Sequence, residues 1–313
     1  MSDVESSPVL ATVLGRFDTL TVTGTVLPHE HLVLDLRTAE DPEGYLDHER
    51  EVAAELAAAR ADHGLDLVVD QTARGMGRDA GALARISRAS GVAVVAATGW
   101  YYGRFHPDGE PGTDVGEATD ALLADLLEGI DDSGVRAGIV AEIGTHGERP
   151  SLAEEVSLRA AARAATRAGV ALGTHAHLGT GAPAQLEILL AEGMDPTRVA
   201  IGHQDLSEDQ STQEALLTAG CYLAFDTVGK TSYRSDDDRL ARVLELLERG
   251  HGERLLLSND ISRHAYLTSE GGQGYRHVLG EFGASLRDAG VGEDAMDLLF
   301  RRNALRWLAG AEA

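Results

Sequence analysis

The feature that most constrains the fold of this chain is a regular alternation of short β-like runs with Ala- and Leu-rich helical stretches. Eight runs are rich in Val, Ile, Leu and Thr, and stretches with helical spacing of apolar residues separate most of them. The alternation predicts a parallel sheet, and eight units in 313 residues predict an α/β fold closed into a (β/α)8 TIM barrel. The runs cover residues 22–31, 66–72, 93–99, 136–144, 171–177, 199–205, 221–227 and 254–260.

The segments between the runs complete this organisation. Residues 9–26 predict a short β-hairpin at the N-terminal side of the first barrel strand. No internal repeat, low-complexity tract or Pro-rich linker interrupts the pattern, so residues 1–313 are predicted to form a single domain. The predicted helices cover residues 47–63, 79–90, 116–130, 151–168, 182–192, 208–219, 236–250 and 292–309.

Composition excludes several classes of partner. The chain carries 51 acidic and 27 basic residues, which argues against nucleic acid or an anionic membrane, because phosphate contacts need clustered Lys and Arg. Cys221 is the single cysteine, so no intrachain disulfide forms and a reducing compartment fits. The start MSDVESSPVL lacks the features of a signal peptide, and no stretch has the length of a membrane span. We therefore expect a cytoplasmic protein that acts on a small molecule.

Side chains that commonly bind metal ions stand at or near the ends of five of the eight runs. The carboxyl ends of the strands of a TIM barrel meet at one mouth, so residues far apart in sequence converge there. Four imidazoles and two carboxylates are enough to hold two divalent ions with open positions for water. The pattern therefore predicts a binuclear metallohydrolase. The candidate ligands are His29, His31, Glu142, His175, His203 and Asp260.

Nine segments spread over residues 22–309 carry a family resemblance, namely LPHEHLVLD, QTARGMGRD, AATGWY, GVRAGIVAEIG, GTHAH, RVAIGHQDL, AFDTVGKTSY, LLLSNDISR and GGQGYRHVL. Together they resemble the phosphotriesterase family of the amidohydrolase superfamily. The resemblance implies that His29, His31 and Asp260 bind the more buried ion and that His175 and His203 bind the outer one. It also implies a bridging hydroxide, and a homodimer is a common assembly in this family.

One departure from the family pattern concerns the group that bridges the ions. The founding phosphotriesterases use a carboxylated lysine at the end of strand 4, whereas the single lysine here, Lys230, follows run 7. Glu142 can supply the same two oxygen atoms and negative charge, as in the branch of phosphotriesterase homology and phosphotriesterase-related proteins. The alternative is a buried carboxylate paired with Arg136 or Arg149. In THAH, His177 is an alternative to His175 because the two share a strand face.

Two adjacent cations polarise the substrate oxygen and lower the pKa of a bridging water. Asp260 is placed to accept the proton of that water, and the resemblance implies that the proton leaves through His203. Zinc is the expected metal, although manganese, cobalt and iron suit the same ligands.

Three loops, after runs 3, 7 and 8, are predicted to shape the substrate pocket. Their basic groups favour an anionic small molecule. The alternative is that the arginines pair with Asp236, Asp237, Asp238 or Glu270 at the surface. The predicted substrate contacts are Trp100, Tyr101, Lys230, Tyr233, Arg234 and Arg263.

Several functions are compatible with these residues. The first is hydrolysis of a carboxylic ester, a lactone or an N-acyl amide. The second is phosphotriester hydrolysis, and the third is a metal-stabilised barrel that binds a ligand without turnover. A single-metal deaminase is a further alternative, but such an enzyme ordinarily lacks an acid at the position of Glu142.

Overall fold

The computed structural model of the protein describes residues 9–310, which form a barrel of eight parallel strands. The barrel order is β3, β6, β7, β8, β9, β10, β11 and β12, in the numbering given at the end of this paragraph. The backbone N–H of Asp260, beyond the last strand, donates to the carbonyl oxygen of His29 at 3.3 Å, which joins the two ends of the sheet. The predicted (β/α)8 barrel is confirmed. In chain order the strands of residues 9–310 are β1 (Val9–Thr12), β2 (Gly15–Asp18), β3 (Thr25–Glu30), β4 (Leu34–Asp35), β5 (Tyr45–Leu46), β6 (Leu65–Asp70), β7 (Ala93–Thr98), β8 (Ile139–Thr145), β9 (Leu172–Ala176), β10 (Val199–Ile201), β11 (Tyr222–Phe225) and β12 (Leu255–Leu257).

Helices surround the barrel, and local sequence signals set their ends. The helix that begins at Leu152 has a capping box, in which the Ser151 hydroxyl accepts from the Glu154 N–H and the Glu154 carboxylate accepts from the Ser151 N–H. It ends at Gly169, whose φ of 70° lies in the left-handed region that favours glycine. The α-helices of residues 9–310 are α1 (Glu49–His63), α2 (Ala80–Ser90), α3 (Val115–Leu127), α4 (Leu152–Ala168), α5 (Ala182–Ala191), α6 (Gln210–Ala219), α7 (Asp236–Glu248), α8 (Gly283–Asp288), α9 (Glu293–Asp297) and α10 (Asn303–Ala309).

Apolar side chains fill the barrel interior and close its N-terminal end. The interior cluster includes Val26, Val95 and Ile139 from the strands, and it continues to Leu10 in β1 and Trp307 in α10. Strands β1 and β2 pair as the predicted antiparallel hairpin. Because this end is packed, the polar residues of the interior are left at the opposite, C-terminal mouth.

Several boundaries differ from those predicted. Strands β10 and β12 end at Ile201 and Leu257, so His203 and Asp260 lie in the turns that follow. The predicted helix 292–309 consists of α9, a π-helical segment (Leu298–Arg302) and α10. A second π-helical segment (Val278–Phe282) and α8 occupy a Gly-rich part of the chain for which no helix was predicted.

The prediction that no signal peptide is present rests mainly on residues 1–8, which lie outside the described residues. Between residues 9 and 310, none of the helices combines the length and apolar character needed to cross a bilayer.

Candidate metal centre

The carboxylate of Glu142, in β8, stands at the centre of four histidines at the C-terminal mouth. Its Oε1 lies 2.9 Å from His175 Nδ1, 3.3 Å from His203 Nε2 and 3.5 Å from His29 Nε2. Its Oε2 lies 3.6 Å from His31 Nε2. All five side chains are buried. The structure therefore brings residues from four strands and their following turns around one carboxylate.

The alternative partners of Glu142 lie elsewhere. Arg136 and Arg149 are both exposed, whereas Glu142 is buried among imidazoles. The ion pairs of Glu142 among residues 9–310 all involve histidines.

Asp226, which directly follows β11, supports two of these histidines at once. Its Oδ2 accepts from His29 Nδ1 at 2.6 Å, and its Oδ1 accepts from His203 Nδ1 at 2.8 Å and from the His203 backbone N–H at 2.9 Å. These bonds leave the Nε2 atom of each ring directed toward Glu142. A carboxylate behind an imidazole fixes the tautomer and orientation of the ring and makes its free nitrogen a better ligand.

The other two histidines are supported by hydroxyl groups. His31 Nδ1 lies 2.9 Å from Thr72 Oγ1, and His175 Nε2 lies 3.3 Å from the phenol oxygen of Tyr101. His175 therefore presents Nδ1 to Glu142, whereas the other three rings present Nε2. In each ring one nitrogen is held by the protein and the other faces the shared carboxylate.

This donor set fits divalent cations. Two groups of three ligand atoms share Glu142, the first with His29 and His31 and the second with His175 and His203, and each group spans less than 4.8 Å. His29 Nε2 is buried and has no hydrogen-bond partner among residues 9–310. A buried nitrogen of this kind is costly unless a donor or a cation meets it. Imidazole and carboxylate ligands suit zinc, manganese, cobalt and iron.

Asp260 lies on the side of the first group. Its Oδ1 is 3.2 Å from His31 Nε2, and its Oδ2 accepts from the ammonium of Lys230. Lys230 also donates to Ser262 Oγ at 3.0 Å. Asp260 is 7% exposed and Lys230 5%, and both line the cavity described below.

The electrostatic surroundings differ between the histidines. Burial lowers the pKa of His29, but the carboxylates of Asp226 and Glu142 outweigh it and raise that pKa to about 9. Burial lowers the pKa of His175 to about 4, against the partly offsetting charge of Glu142. Burial raises the pKa of Glu142, but His175 and His29 more than reverse this, so that the carboxylate is held ionised. The pKa of Asp260 is also lowered, because Lys230 and His31 outweigh its burial.

A cavity of about 230 Å³ opens above these groups. Four of the predicted substrate contacts line it, namely Tyr101, Lys230, Tyr233 and Arg263. Its floor includes Glu142 and three of the four histidines, and its walls combine polar and apolar side chains. The apolar wall residues include Leu36, Met76, Phe105, Leu178 and Leu206.

Two predicted contacts do not line the cavity. Trp100 is 1% exposed, and its indole N–H donates to Glu110 at 2.6 Å. Arg234 donates to the carbonyl oxygen of Asp205 at 2.7 Å and pairs with Glu208. The structure does not bring these two side chains to the cavity. The prediction used only their loop positions, which do not determine side-chain direction.

The arginines at the mouth are paired with acids from the segment between β4 and β5. Arg263 contacts Asp41 at 2.9 Å, and Arg104, after β7, contacts Glu40 at 2.6 Å. The arginines at the mouth therefore do pair with acids, as the alternative prediction held. The acids are Asp41 and Glu40 rather than the predicted ones. Lys230 and Arg263 both lie near the ring of Tyr266, at 5.2 and 5.7 Å from its centroid.

His177 and Cys221 have no direct place in the cluster. His177 lines the cavity, but it belongs to neither group of ligand atoms found among residues 9–310. Cys221 is buried, and burial raises the pKa of its thiol to about 12, so it is a poor nucleophile.

Asp226 and Thr72 were not among the predicted site residues, although Asp226 directly follows β11 and Thr72 lies two residues beyond the end of β6. Asp226 carries the same signal as the candidate ligands, an acid at a strand end within AFDTVGKTSY.

Comparisons with known proteins identify the family of this chain. The model of the phosphotriesterase family matches residues 8–308. A phosphotriesterase homology protein from Escherichia coli (strain K12) is 35% identical over 282 residues, which are 90% of this chain and 96% of that protein. An N-acetyltaurine hydrolase from Rattus norvegicus is 29% identical over 253 residues, 77% of this chain and 72% of that protein. The crystal structure of a mutant PTE-like lactonase from Deinococcus radiodurans superposes with a TM-score of 0.85 at 29% identity, covering 96% of this chain and 99% of that one.

Proposed function

Because the chain belongs to the phosphotriesterase family, we propose that it is a metal-dependent hydrolase in which Glu142 bridges two divalent cations. The observation that carries the proposal is the position of the Glu142 carboxylate, shared by two groups of histidine nitrogens. In this assignment His29, His31 and Asp260 bind one cation, and His175 and His203 bind the other. Zinc is the cation that we expect, and manganese, cobalt or iron would suit the same ligands.

The chemistry of the bound ions is to polarise the substrate oxygen and to make hydroxide available near neutral pH. Asp260 is the residue that we assign to accept the proton of the attacking water, because its carboxylate is ionised and reaches the cavity. The resemblance implies that His203 passes this proton onward, but neither of its ring nitrogens is free to do so. Nδ1 contacts Asp226, and Nε2 faces Glu142 and His175. We therefore assign His203 to metal binding alone.

The substrate class follows from the cavity and from the relatives. A volume of about 230 Å³ suits a small molecule. Lys230 and Arg263 stand on one wall beside Tyr266, where they would meet a carboxylate, phosphate or sulfonate. Arg263 would then exchange Asp41 for the substrate anion. Two relatives are named a lactonase and an N-acetyltaurine hydrolase, so we favour a carboxylic ester, a lactone or an N-acyl amide that bears an anionic group.

The test is to measure metal content and hydrolysis together in the wild type and in Glu142→Ala. The substrates are lactones, N-acyl amino acids and N-acyl sulfonates, with phosphotriesters in the same screen. We expect two ions per chain and turnover of an ester, lactone or amide, with both lost in the variant. Glu55→Gln is a matched control, because Glu55 is a buried carboxylate that bonds to Thr268 and Tyr275 rather than to the histidines. One ion or none in the wild type, despite metal during expression, would refute the bridged centre.

The same experiment separates the alternatives. Turnover of phosphotriesters alone would favour the second function that the sequence allows. A single tightly bound ion would favour the deaminase type of site. Asp260→Ala distinguishes an enzyme from a binding protein, since an enzyme would lose turnover in this variant while the His175 and His203 side still binds metal.

A further inference from the structure

The carboxylate of Glu30 forms an unusual concentration of buried hydrogen bonds between the two ends of the barrel sheet. Glu30 lies between His29 and His31 in the chain and is fully buried. Its Oε1 accepts from Ser258 Oγ at 2.8 Å and from the backbone N–H and side-chain Nδ2 of Asn259, both at 2.9 Å. Its Oε2 accepts from the backbone N–H of Ile261 at 2.9 Å.

These bonds hold the residues on both sides of Asp260 in the chain. Asn259 and Ile261 are its two neighbours, and each donates its backbone N–H to a different oxygen of Glu30. Asp260 itself has a φ of 50°, in the left-handed region. Residues other than glycine adopt this conformation stably where the surroundings hold it. The Glu30 carboxylate therefore fixes the backbone from which the Asp260 side chain projects.

The same contacts connect Asp260 to His29 and His31, the candidate ligands at the end of β3. The Ser258 hydroxyl that donates to Glu30 also accepts from the His29 backbone N–H at 3.2 Å. Asp260 N–H donates to the His29 carbonyl oxygen, and Asp260 Oδ1 lies 3.2 Å from His31 Nε2. One carboxylate thus sets the distance between the end of β3, where His29 and His31 lie, and the turn that carries Asp260.

We propose that Glu30 is a positioning residue that holds Asp260 beside His31 and so determines how the cation on the His29 and His31 side is bound. The inference rests on the proposed binuclear centre and adds to it a residue outside the ligand set. Glu30 touches neither substrate nor cation in this role, and it acts through the backbone of residues 258–261. Removing a group that orients a metal ligand commonly lowers metal affinity or activity roughly 10-fold to 100-fold.

Glu55 provides a matched control for this proposal. It too is a buried carboxylate that receives several hydrogen bonds from the chain after β12, from Thr268 N at 2.6 Å, Thr268 Oγ1 at 2.7 Å and Tyr275 N at 3.2 Å. Its contacts begin eight residues beyond Asp260. If a substitution acts only by loosening this loop, changes at Glu30 and at Glu55 should have similar effects. If it acts by moving Asp260, the change at Glu30 alone should affect metal binding.

The experiment compares Glu30→Gln with Glu55→Gln. Metal-free protein is titrated with Co²⁺, bound ions are counted after dialysis, the visible absorption of the bound Co²⁺ is recorded, and kcat and KM are measured. In Glu30→Gln we expect one ion to bind as in the wild type and the other to bind roughly 10-fold to 100-fold more weakly, with an altered spectrum and a fall in kcat. In Glu55→Gln we expect lower thermal stability with wild-type ion binding and kcat.

Two further variants show which ion is affected. In a His175→Ala background, which retains the His29 and His31 side, Glu30→Gln should weaken the remaining ion. In a His29→Ala background it should have no effect on the ion that remains. If Glu30→Gln does not fold, Ser258→Ala removes one of the four bonds to Glu30 and should produce a smaller change in the same direction.

Each result bears on one of the two proposals. Two ions in the wild type with unchanged affinity, spectrum and kcat in Glu30→Gln or Ser258→Ala would overturn the positioning role and leave the centre intact. Equal losses in Glu30→Gln and Glu55→Gln would overturn it as well. A wild type that binds fewer than two ions would remove the proposed centre and this inference with it.

Discussion

The two histidine groups that share Glu142 are similar in burial, and each has one ring backed by Asp226 and one ring that contacts a hydroxyl group. They differ in that the carboxylate of Asp260 lies beside the first group. His29 is backed by the carboxylate of Asp226, and its pKa is raised to about 9. His175 is backed by the neutral phenol of Tyr101, and its pKa is lowered to about 4. Since both rings are buried, the charge of the second partner accounts for much of the difference. Because the His29 and His31 side has a second carboxylate, that of Asp260, we expect the cation proposed for this side to be bound more tightly than the one proposed for the His175 and His203 side.

Asp226→Asn is the change that should alter the comparison most, because Asp226 supports one histidine from each group. An asparagine keeps the shape but removes the charge behind both rings. We expect the affinity for both cations to fall roughly 10-fold to 100-fold, with a parallel fall in kcat. Metal titration of the purified variant measures this. A loss confined to one cation would mean that the two groups do not depend on a common carboxylate.

Partial removal of metal should reveal the difference directly. With a chelator added stepwise to protein loaded with the two proposed cations, we expect the first cation to leave from the His175 and His203 side, at a chelator concentration about 10-fold below that needed for the second. Zinc counted in His175→Ala and in His29→Ala identifies the sides, since the first variant should retain its remaining ion better. Release in the opposite order would contradict the comparison.

Tyr101→Phe should affect the binding of the cation at the His175 ring only. The variant loses the contact of the phenol with His175 Nε2, a neutral hydrogen bond worth about 1 kcal/mol. We expect the affinity for the cation on the His175 side to fall roughly fivefold and the affinity on the other side to stay unchanged. Thr72→Val is the counterpart, since it removes the hydroxyl behind His31. If both variants weakened the same cation, the assignment of residues to two sides would be wrong.

The smallest effect is expected at a histidine that lies outside both groups. His277 contacts Asp236 at 2.7 Å, and this hydrogen bond raises the pKa of His277 against the effect of burial. The protonated ring therefore stabilises the folded state below the ordinary pKa of histidine, about 6.5, and this contribution is lost as the pH rises through the folded-state pKa. His277→Gln should lower the Tm by about 2 °C at pH 6 and by less at pH 9. Metal affinity should not change, and an equal difference at both pH values would contradict the assignment.

Much of the fold could be predicted from the sequence because its signals are local and repeated. The alternation of strands and helices predicts the barrel, and barrel geometry then brings together the acidic and imidazole residues that stand near five of the strand ends. The errors arise where neighbouring elements decide the outcome. Run 199–205 continues in sequence beyond β10, but the chain turns at His203, where φ is 56° and Asp226 accepts from the backbone N–H.

The direction of a side chain in a loop was the least predictable property. Trp100 and Tyr101 are adjacent in the chain, yet the first is buried against Glu110 and the second lines the cavity. Arg263 lines the cavity, whereas Arg234 turns to Asp205 and Glu208. These outcomes depend on acids that lie ten or more residues away in the chain, and a single sequence contains no local record of such pairing.

The position of Lys230 has a practical consequence for chemical work on this protein. It is the one lysine in 313 residues, it is 5% exposed, and its ammonium is held by Asp260 and Ser262. Reagents that acylate lysine side chains therefore have a single target, and that target lies in the cavity. Amine-reactive crosslinkers would report little about assembly through lysine, whereas slow acylation of Lys230, followed by mass spectrometry, would measure access to the site.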